Sequence, residues 1–376
     1  MKRCLVFLLI AALLLPSAIA VNAPETDALQ LSADSAVLVE QQTGTILYEK
    51  DAHTHRSPAS VTKVMTMLLI AEAVDSGALA LTDTVTATEH AASMGGSQIW
   101  LEEGESMTVD EMLKCIAVAS ANDCAVAMAE KLAGSESAFA ERMNQRAAEL
   151  GMADTHFINC TGLTEDEAHY TSAYDIALMS AELLKHEWIQ NYTTIWMEEV
   201  PDGAIGLTNT NRLVRSFDGA TGLKTGFTSQ AMYCLSASAQ RDGVQYIAVV
   251  LHAPSSQERF TDAQTLLNYA FANYDLWSAA ANVVLPPVKV TLGECESIQP
   301  VCSGGDALVV ERSGGAVTWD IRLPEEIDAP VHAGQTLGTL VVQNDRGTVA
   351  ELPIIAPEDV AQMGLWQLWT RVIGAL

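Results

Sequence analysis

The order of apolar runs predicts an α+β fold, an antiparallel sheet flanked by helices, with a small all-β domain after it. Ala36 to Val39 and Thr45 to Tyr48 read as a hairpin around Thr43-Gly44. Tyr233 to Ala239 and Tyr246 to Leu251 read as a second hairpin around Asp242-Gly243, and a long stretch of helical periodicity separates the two. Strands at both ends with helices between them place both hairpins in one sheet. After Pro286-Pro287, short β runs such as Ala307 to Val310, Val317 to Ile321 and Thr339 to Val342 alternate with Gly-rich turns.

Taken from the start, Met1 to Ala20 has a basic opening at Lys2 and Arg3, an apolar run from Cys4 to Leu15 and an Ala18-Ile19-Ala20 exit. That is the pattern of a secretory signal peptide, so an exported protein is expected. Removing the segment takes the formal charge from −27 to −29. Such a chain repels nucleic acid at long range, and no nucleic-acid partner is expected. The 376 residues exceed one ordinary domain and can bury a sizeable core. The expected divisions are 1–20 signal peptide, 25–278 catalytic domain, 283–352 β domain and 357–376 amphipathic helix.

Ser57-Pro58 precedes an apolar run at helical spacing, Val61, Val64, Met65, Leu68, Leu69 and Ala73. Ser57 therefore reads as an N-cap and Pro58 as the first helical residue, which puts Ser60 in the first turn and Lys63 one turn on. Thr108-Val109-Asp110-Glu111 is a capping box opening a helix that runs out at Ser120. Asn122-Asp123 begins another helix, stopped by Gly134. Ser120 and Asn122 thus sit on a tight connection between two packed helices. Lys224-Thr225-Gly226-Phe227 opens the second strand region, where Gly226 admits a close backbone approach and a strand edge can bind an extended peptide.

Ser60-Val61-Thr62-Lys63, Ser120-Ala121-Asn122 and Lys224-Thr225-Gly226 together supply a nucleophile, a base, a second hydroxyl and an anion-binding lysine. An SxxK tetrad alone arises by chance about once in a chain of this length. Its conjunction with the other two, in this order and at a helix start, points to acyl transfer through a serine ester. No histidine stands in an obvious triad context, so the base is a lysine, which must be neutral to act. An ordinary lysine titrates near ~10.4, and neutrality at pH 7 needs about 3 units, roughly 4 kcal/mol, of bias. A dry cleft, a helix N-terminus and a second cation, Lys224, can supply it. The expected result is a neutral Lys63 and a charged Lys224.

These motifs, with Pro58 to Thr66, Ala92 to Gln98, Asn209 to Leu213 and Gly222 to Thr228, resemble the serine D-alanyl-D-alanine carboxypeptidases among the low-molecular-mass penicillin-binding proteins. The resemblance is strong over about residues 30 to 275. It implies that Ser60 is acylated, Lys63 is its base and Ser120 relays a proton to the departing D-alanine. Asn122 would position the substrate amide, and Lys224 and Thr225 would bind the terminal carboxylate. Gly226 would line that strand, and the Ser60 and Phe227 N–H groups would form the oxyanion hole. Arg259, opening a helix, could add a carboxylate contact or be a solvated surface residue. The implied partners are peptidoglycan stem peptides and, as acylating inhibitors, β-lactams. The implied place is the outer face of the cytoplasmic membrane.

Two points stay open. Cys295 and Cys302 flank a short strand and could bridge in an oxidising exterior, whereas Cys115, Cys124 and Cys234 lie in apolar contexts as small core residues. Leu365, Leu368, Trp369, Val372 and Leu376 share one helical face with Trp366 beside it, either an interfacial anchor or a helix packed on its own β domain. No pair has CxxC spacing and no HExxH occurs; His53 and His55 read as a solvated loop, so neither metal nor cofactor is expected. A DD-endopeptidase or transpeptidase could use the same residues. A β-lactamase is disfavoured by the lack of an ExxLN segment, and a non-catalytic penicillin sensor by the presence of Ser60, Lys63 and Lys224.

Overall fold

Strand β1 (Ser35–Glu40) and strand β2 (Ile46–Lys50) form the first hairpin. The Glu40 carboxylate accepts from the Gln42 and Thr43 amides inside it, and Gly44 sits at φ +68°. Strands β3 (Ala220–Thr228), β4 (Met232–Arg241) and β5 (Val244–Ala253) follow much later in the chain. Asp242 and Gly243 both hold positive φ, +50° and +82°, the tight turn that their identities favour. Pairing of β1 with β5, Val37 opposite Val249, joins the two hairpins into one sheet in the order β2-β1-β5-β4-β3. Every adjacent pair in that sheet is antiparallel. The expected α+β arrangement is therefore met, in a computed structural model that describes residues 29–200 and 205–374. The expected signal segment lies outside the described residues.

Side-chain alternation sorts the sheet's two faces. Val37, Val39, Ile247, Val249 and Leu251 belong to the large core that also contains Val64, Met65, Leu68 and Ile70 of helix α1 (Lys63–Asp75). Residues of the other parity, such as Leu38, Ala248 and Val250, are also buried. Burial on both faces explains why these strands read as apolar runs rather than as strict alternation. Helix α2 (Val109–Lys114) carries the complete Thr108–Glu111 capping box, and helix α3 (Asn122–Ala133) stops at Gly134, φ +82°. Helix α4 (Glu136–Glu149) and helix α5 (Ala173–Leu183) follow. Helix α6 (Ser256–Asn273) packs on β4 and β5.

The chain divides into two compact units at Tyr274 and Asp275. The second is built of short strands, among them Leu308–Glu311, Thr318–Arg322, Thr336–Asn344 and Gly347–Ile355, around Val310, Leu340, Val342, Leu352 and Ile354. Cys295 and Cys302 are free thiols. The strand between them, Ser297–Ile298, belongs to one sheet and Val301–Cys302 to another, which separates their surroundings and leaves the open disulfide unformed. Helix α7 occupies Leu365–Gly374, so it starts at Leu365 rather than at the expected 357. Before it, Val360 exchanges two backbone hydrogen bonds with Val331 and so stays extended.

Candidate active site

Ser60 does not enter the site as expected. Ser57 caps nothing: its Oγ is buried without a partner, and the turn Ala59–Thr62 is a 3-10 turn whose N-cap is Pro58. The α-helical residues begin only at Lys63. Two glycines account for the difference. A Cβ on Gly226 would lie 2.6 Å from Pro58 O and 3.1 Å from Ser60 N, and one on Gly162 would lie 1.9 Å from Ala59 O. The nucleophile's turn is thus clamped between strand β3 and the segment around Gly162, and Ala59 is driven to φ +47°. Gly226 was expected to admit a substrate backbone; here the space beside it is filled by the chain's own Ser60 turn.

Lys63 is fully buried and places Nζ 3.0 Å from Ser60 Oγ, 2.6 Å from Asn122 Oδ1 and 3.1 Å from Thr161 O. The latter two groups can only accept. A neutral amine has two N–H bonds for them and one lone pair, which then faces the Ser60 hydroxyl. Burial drives the Lys63 pKa down to about 7, against the pull of the Asp123 carboxylate. The Cys160 thiol is itself held well above its ordinary value by burial and by Glu136, so at neutral pH it carries no charge to oppose the effect. The lowering of Lys63 is worth about 5 kcal/mol against its charged form.

Ser120 ends a π-helical turn, Cys115–Ala119, in the left-handed region at φ +65°. Such a turn inside a helix often marks a functional site. Its backbone N–H is spent on Cys115 O, and its Oγ is buried with no protein partner among the described residues. Asn122 follows at the start of α3. Its amide N–H donates to Ser97 O at 2.7 Å and its Nδ2 to Gly95 O at 2.7 Å. Its Oδ1 thus meets Lys63 and one Nδ2–H meets Gly95, so in this structure Asn122 orients the lysine and has a second Nδ2–H beyond these two bonds.

Strand β3 lies at the sheet edge. Lys224 Nζ donates to Thr225 O at 3.1 Å, and Thr225 Oγ1 donates to Thr210 Oγ1 at 2.7 Å. The expected charge on Lys224 is not what its surroundings favour. Burial first, then the nearness of the Lys63 amine and the Arg259 guanidinium, push its pKa well down. An arriving carboxylate would reverse that balance. Phe227 is exposed, its ring 4.5 Å from Tyr233.

Arg259, where a solvated residue was the other reading, is buried against the Tyr233 and Phe260 rings. It donates to Gly226 O at 3.0 Å, Cys234 O at 3.3 Å and Ser256 Oγ at 3.3 Å. Its Nε is buried with no partner among the described residues. It therefore braces strand β3 from behind.

The residues that sequence reasoning missed lie in 158–169. Thr66 Oγ1 donates to Cys160 O, Thr161 supplies its carbonyl to Lys63, and Gly162 fits under Ala59. Asn159 Oδ1 accepts from the Thr161 and Gly162 amides, so an Asn-x-x-Gly turn was the signal available. His169 is also buried, its pKa lowered to about 4 by burial and by His156, against the opposing pull of Asp166.

Known proteins carry the same organisation. Residues 20–255 match the D-alanyl-D-alanine carboxypeptidase family of peptidases, Peptidase S11. Residues 298–362 match the penicillin-binding protein 5 C-terminal domain. The D-alanyl-D-alanine carboxypeptidase DacF of Bacillus subtilis is 44% identical over 384 residues, covering 100% of this chain and 98% of that protein. The structure of penicillin-binding protein 5 from Haemophilus influenzae superposes with a TM-score of 0.79 at 27% identity, over 89% of this chain and 98% of that one. The ampicillin-bound penicillin-binding protein D2 of Listeria monocytogenes does so at 0.60 and 31%, over 65% of this chain and 99% of that one. By the family match over residues 20–255 and the 44% identity along the whole chain, the chain belongs to the Peptidase S11 family of D-alanyl-D-alanine carboxypeptidases.

Proposed function

We propose that this protein removes the terminal D-alanine from peptidoglycan stem peptides through a Ser60 ester. The observation that carries the reading is the bonding of Lys63 Nζ: Ser60 Oγ at 3.0 Å, with two acceptor-only partners at 2.6 and 3.1 Å that take both N–H bonds of a neutral amine and leave its lone pair for the Ser60 proton. In the acylation step Lys63 takes the Ser60 proton as Oγ bonds to the penultimate carbonyl carbon. The carbonyl oxygen becomes an oxyanion next to the Ser60 and Phe227 N–H groups, a kind of site worth roughly 3 kcal/mol per donor. The C–N bond then breaks, and the proton passes from Lys63 through Ser120 to the leaving amine of D-alanine. In the second half water attacks the ester carbon and gives its proton to Lys63, the bond from that carbon to Ser60 Oγ breaks, and Lys63 returns the proton to Oγ. Lys224, aided by Thr225, holds the terminal carboxylate, and that anion would draw a proton onto Lys224.

Penicillins are expected to acylate Ser60 and stay there, in keeping with the ampicillin-bound relative. Export through segment 1–20 and peripheral attachment to a membrane belong to the same reading. Helix α7 supports attachment. On its polar side Gln367 donates to Glu294 and Arg371 pairs with Glu296. Leu365, Trp366, Trp369 and Ile373 are left exposed. No described helix is long and apolar enough to cross a membrane, so the contact would be interfacial.

The test is incubation with a pentapeptide ending in D-Ala-D-Ala, with and without an amine acceptor, against Ser60→Ala. Free D-alanine from the wild type alone supports the proposal. Product carrying the amine would favour transpeptidation, rapid penicillin turnover would favour a β-lactamase, and neither D-alanine nor penicillin labelling would sink the reading.

A further inference from the structure

A buried imidazole that takes no part in the chemistry above ties the nucleophile's turn to the segment that holds the base. His169 Nδ1 accepts from the Ile158 amide at 3.2 Å, and its Nε2 lies 2.8 Å from Thr62 Oγ1. A ring that accepts at Nδ1 and is neutral carries its proton on Nε2, so it donates to Thr62. Thr62 is the residue between Val61 and Lys63 in the Ser60 turn. Ile158 opens the stretch that runs along the first turn of α1, through the Cys160 carbonyl bonded to Thr66 and the Thr161 carbonyl bonded to Lys63. Gly162 then fits within 2.5 Å, as a would-be Cβ, of the same Thr62 Oγ1. One side chain, 1% exposed, therefore sets the spacing of the Ser60 turn against the carbonyl that shares Lys63.

We infer that His169 is a positioning residue for acylation: through its hydrogen bond to Thr62 it fixes the approach of Lys63 to Ser60. The inference rests on the reading of Ser60 as the acylated nucleophile. His169 is sealed from solvent and Thr62 is fully buried, so the effect belongs on the acylation step and not on binding. Misplacement by about 1 Å at a reacting pair can cost on the order of 10²-fold in rate.

Two substitutions separate the two hydrogen bonds. The amide of Asn reaches the Nδ1 position and can still accept from Ile158, but it cannot reach Thr62. The amide of Gln reaches the Nε2 position and can still donate to Thr62. Acylation by a fluorescent penicillin, resolved into the affinity of the first complex and the rate of ester formation, should show His169→Asn slower by about 10- to 100-fold with affinity unchanged within about two-fold. His169→Gln should restore the rate to within about three-fold of wild type. Thr62→Val should match His169→Asn, and the double variant should be no slower than either single one. Wild-type rate in His169→Asn, equal losses in Asn and Gln, or multiplying losses in the double variant would overturn the inference alone. A wild-type protein that no penicillin acylates would remove the Ser60 reading and the inference with it.

Discussion

Replacing Asn122 with aspartate puts a charge where Lys63 now meets a neutral carbonyl oxygen, 2.6 Å from Nζ. Two unit charges about 3 Å apart at an effective dielectric near ~20 attract by roughly 5 kcal/mol, or about 4 pKa units on the lysine. Starting from about 7, the lysine of Asn122→Asp should titrate above pH 10. Only the neutral amine accepts the Ser60 proton, so acylation at pH 7.5 should fall by about 10³-fold, and the acidic limb of the pH profile should move up by about 3 units or more. The assay is the second-order rate of penicillin labelling from pH 5.5 to 10.5. The carboxylate would also face the Gly95 carbonyl that Nδ2 now satisfies, at a cost of about 1–3 kcal/mol in fold stability, which melting reads separately. Asn122→Ala removes the acceptor without adding charge, and its limb should stay or move down. An Asn122→Asp limb unmoved from pH 7 would refute the account of Lys63 as a neutral base.

Gly226→Ala would drive a Cβ to 2.6 Å from Pro58 O and 3.1 Å from Ser60 N, both backbone atoms, and should cost about 1–3 kcal/mol in denaturant stability and on the order of 10²-fold in labelling rate; a wild-type rate would contradict the clamp. In the native protein Cys295 should react fastest with a maleimide and Cys302 more slowly, while the thiols of Cys115, Cys124, Cys160 and Cys234 appear only on denaturation; mass analysis showing Cys295 joined to Cys302 would overturn the free assignment. Wild-type protein should co-sediment with lipid vesicles and a Trp366→Ser, Trp369→Ser variant should not, since the exposed indoles supply most of the apolar area of α7; undiminished sedimentation of the variant would count against that face.

Where local chemistry decides the backbone, the sequence was a sufficient guide. Asp242-Gly243 turns as those residues prefer, Thr108 and Glu111 cap each other, and Gly134 ends its helix. Reading failed where distant segments press on one another. Ser57-Pro58 has the composition of a helix start, yet Gly226 and Gly162, far away in sequence, squeeze the following turn out of α geometry. The Thr161 carbonyl that holds Lys63 is a backbone atom that every residue carries, so only the Asn159-x-x-Gly162 turn around it could mark its place. The charge on Lys224 depends on burial and on the nearness of Lys63 and Arg259, which only the folded chain brings together. Arg259 looked like a surface residue because its helix opens at Ser255, but that end of α6 faces strand β3.

The most direct test of the central claim is titration of the Lys63 side chain itself. In protein labelled with ¹³C at lysine Cε, with Lys63→Arg used for assignment, the Lys63 resonance should titrate with a midpoint near pH 7 in the unacylated enzyme. A midpoint at or above about 10, the value of an ordinary lysine, would mean that the amine facing Ser60 is charged and has no lone pair to take its proton.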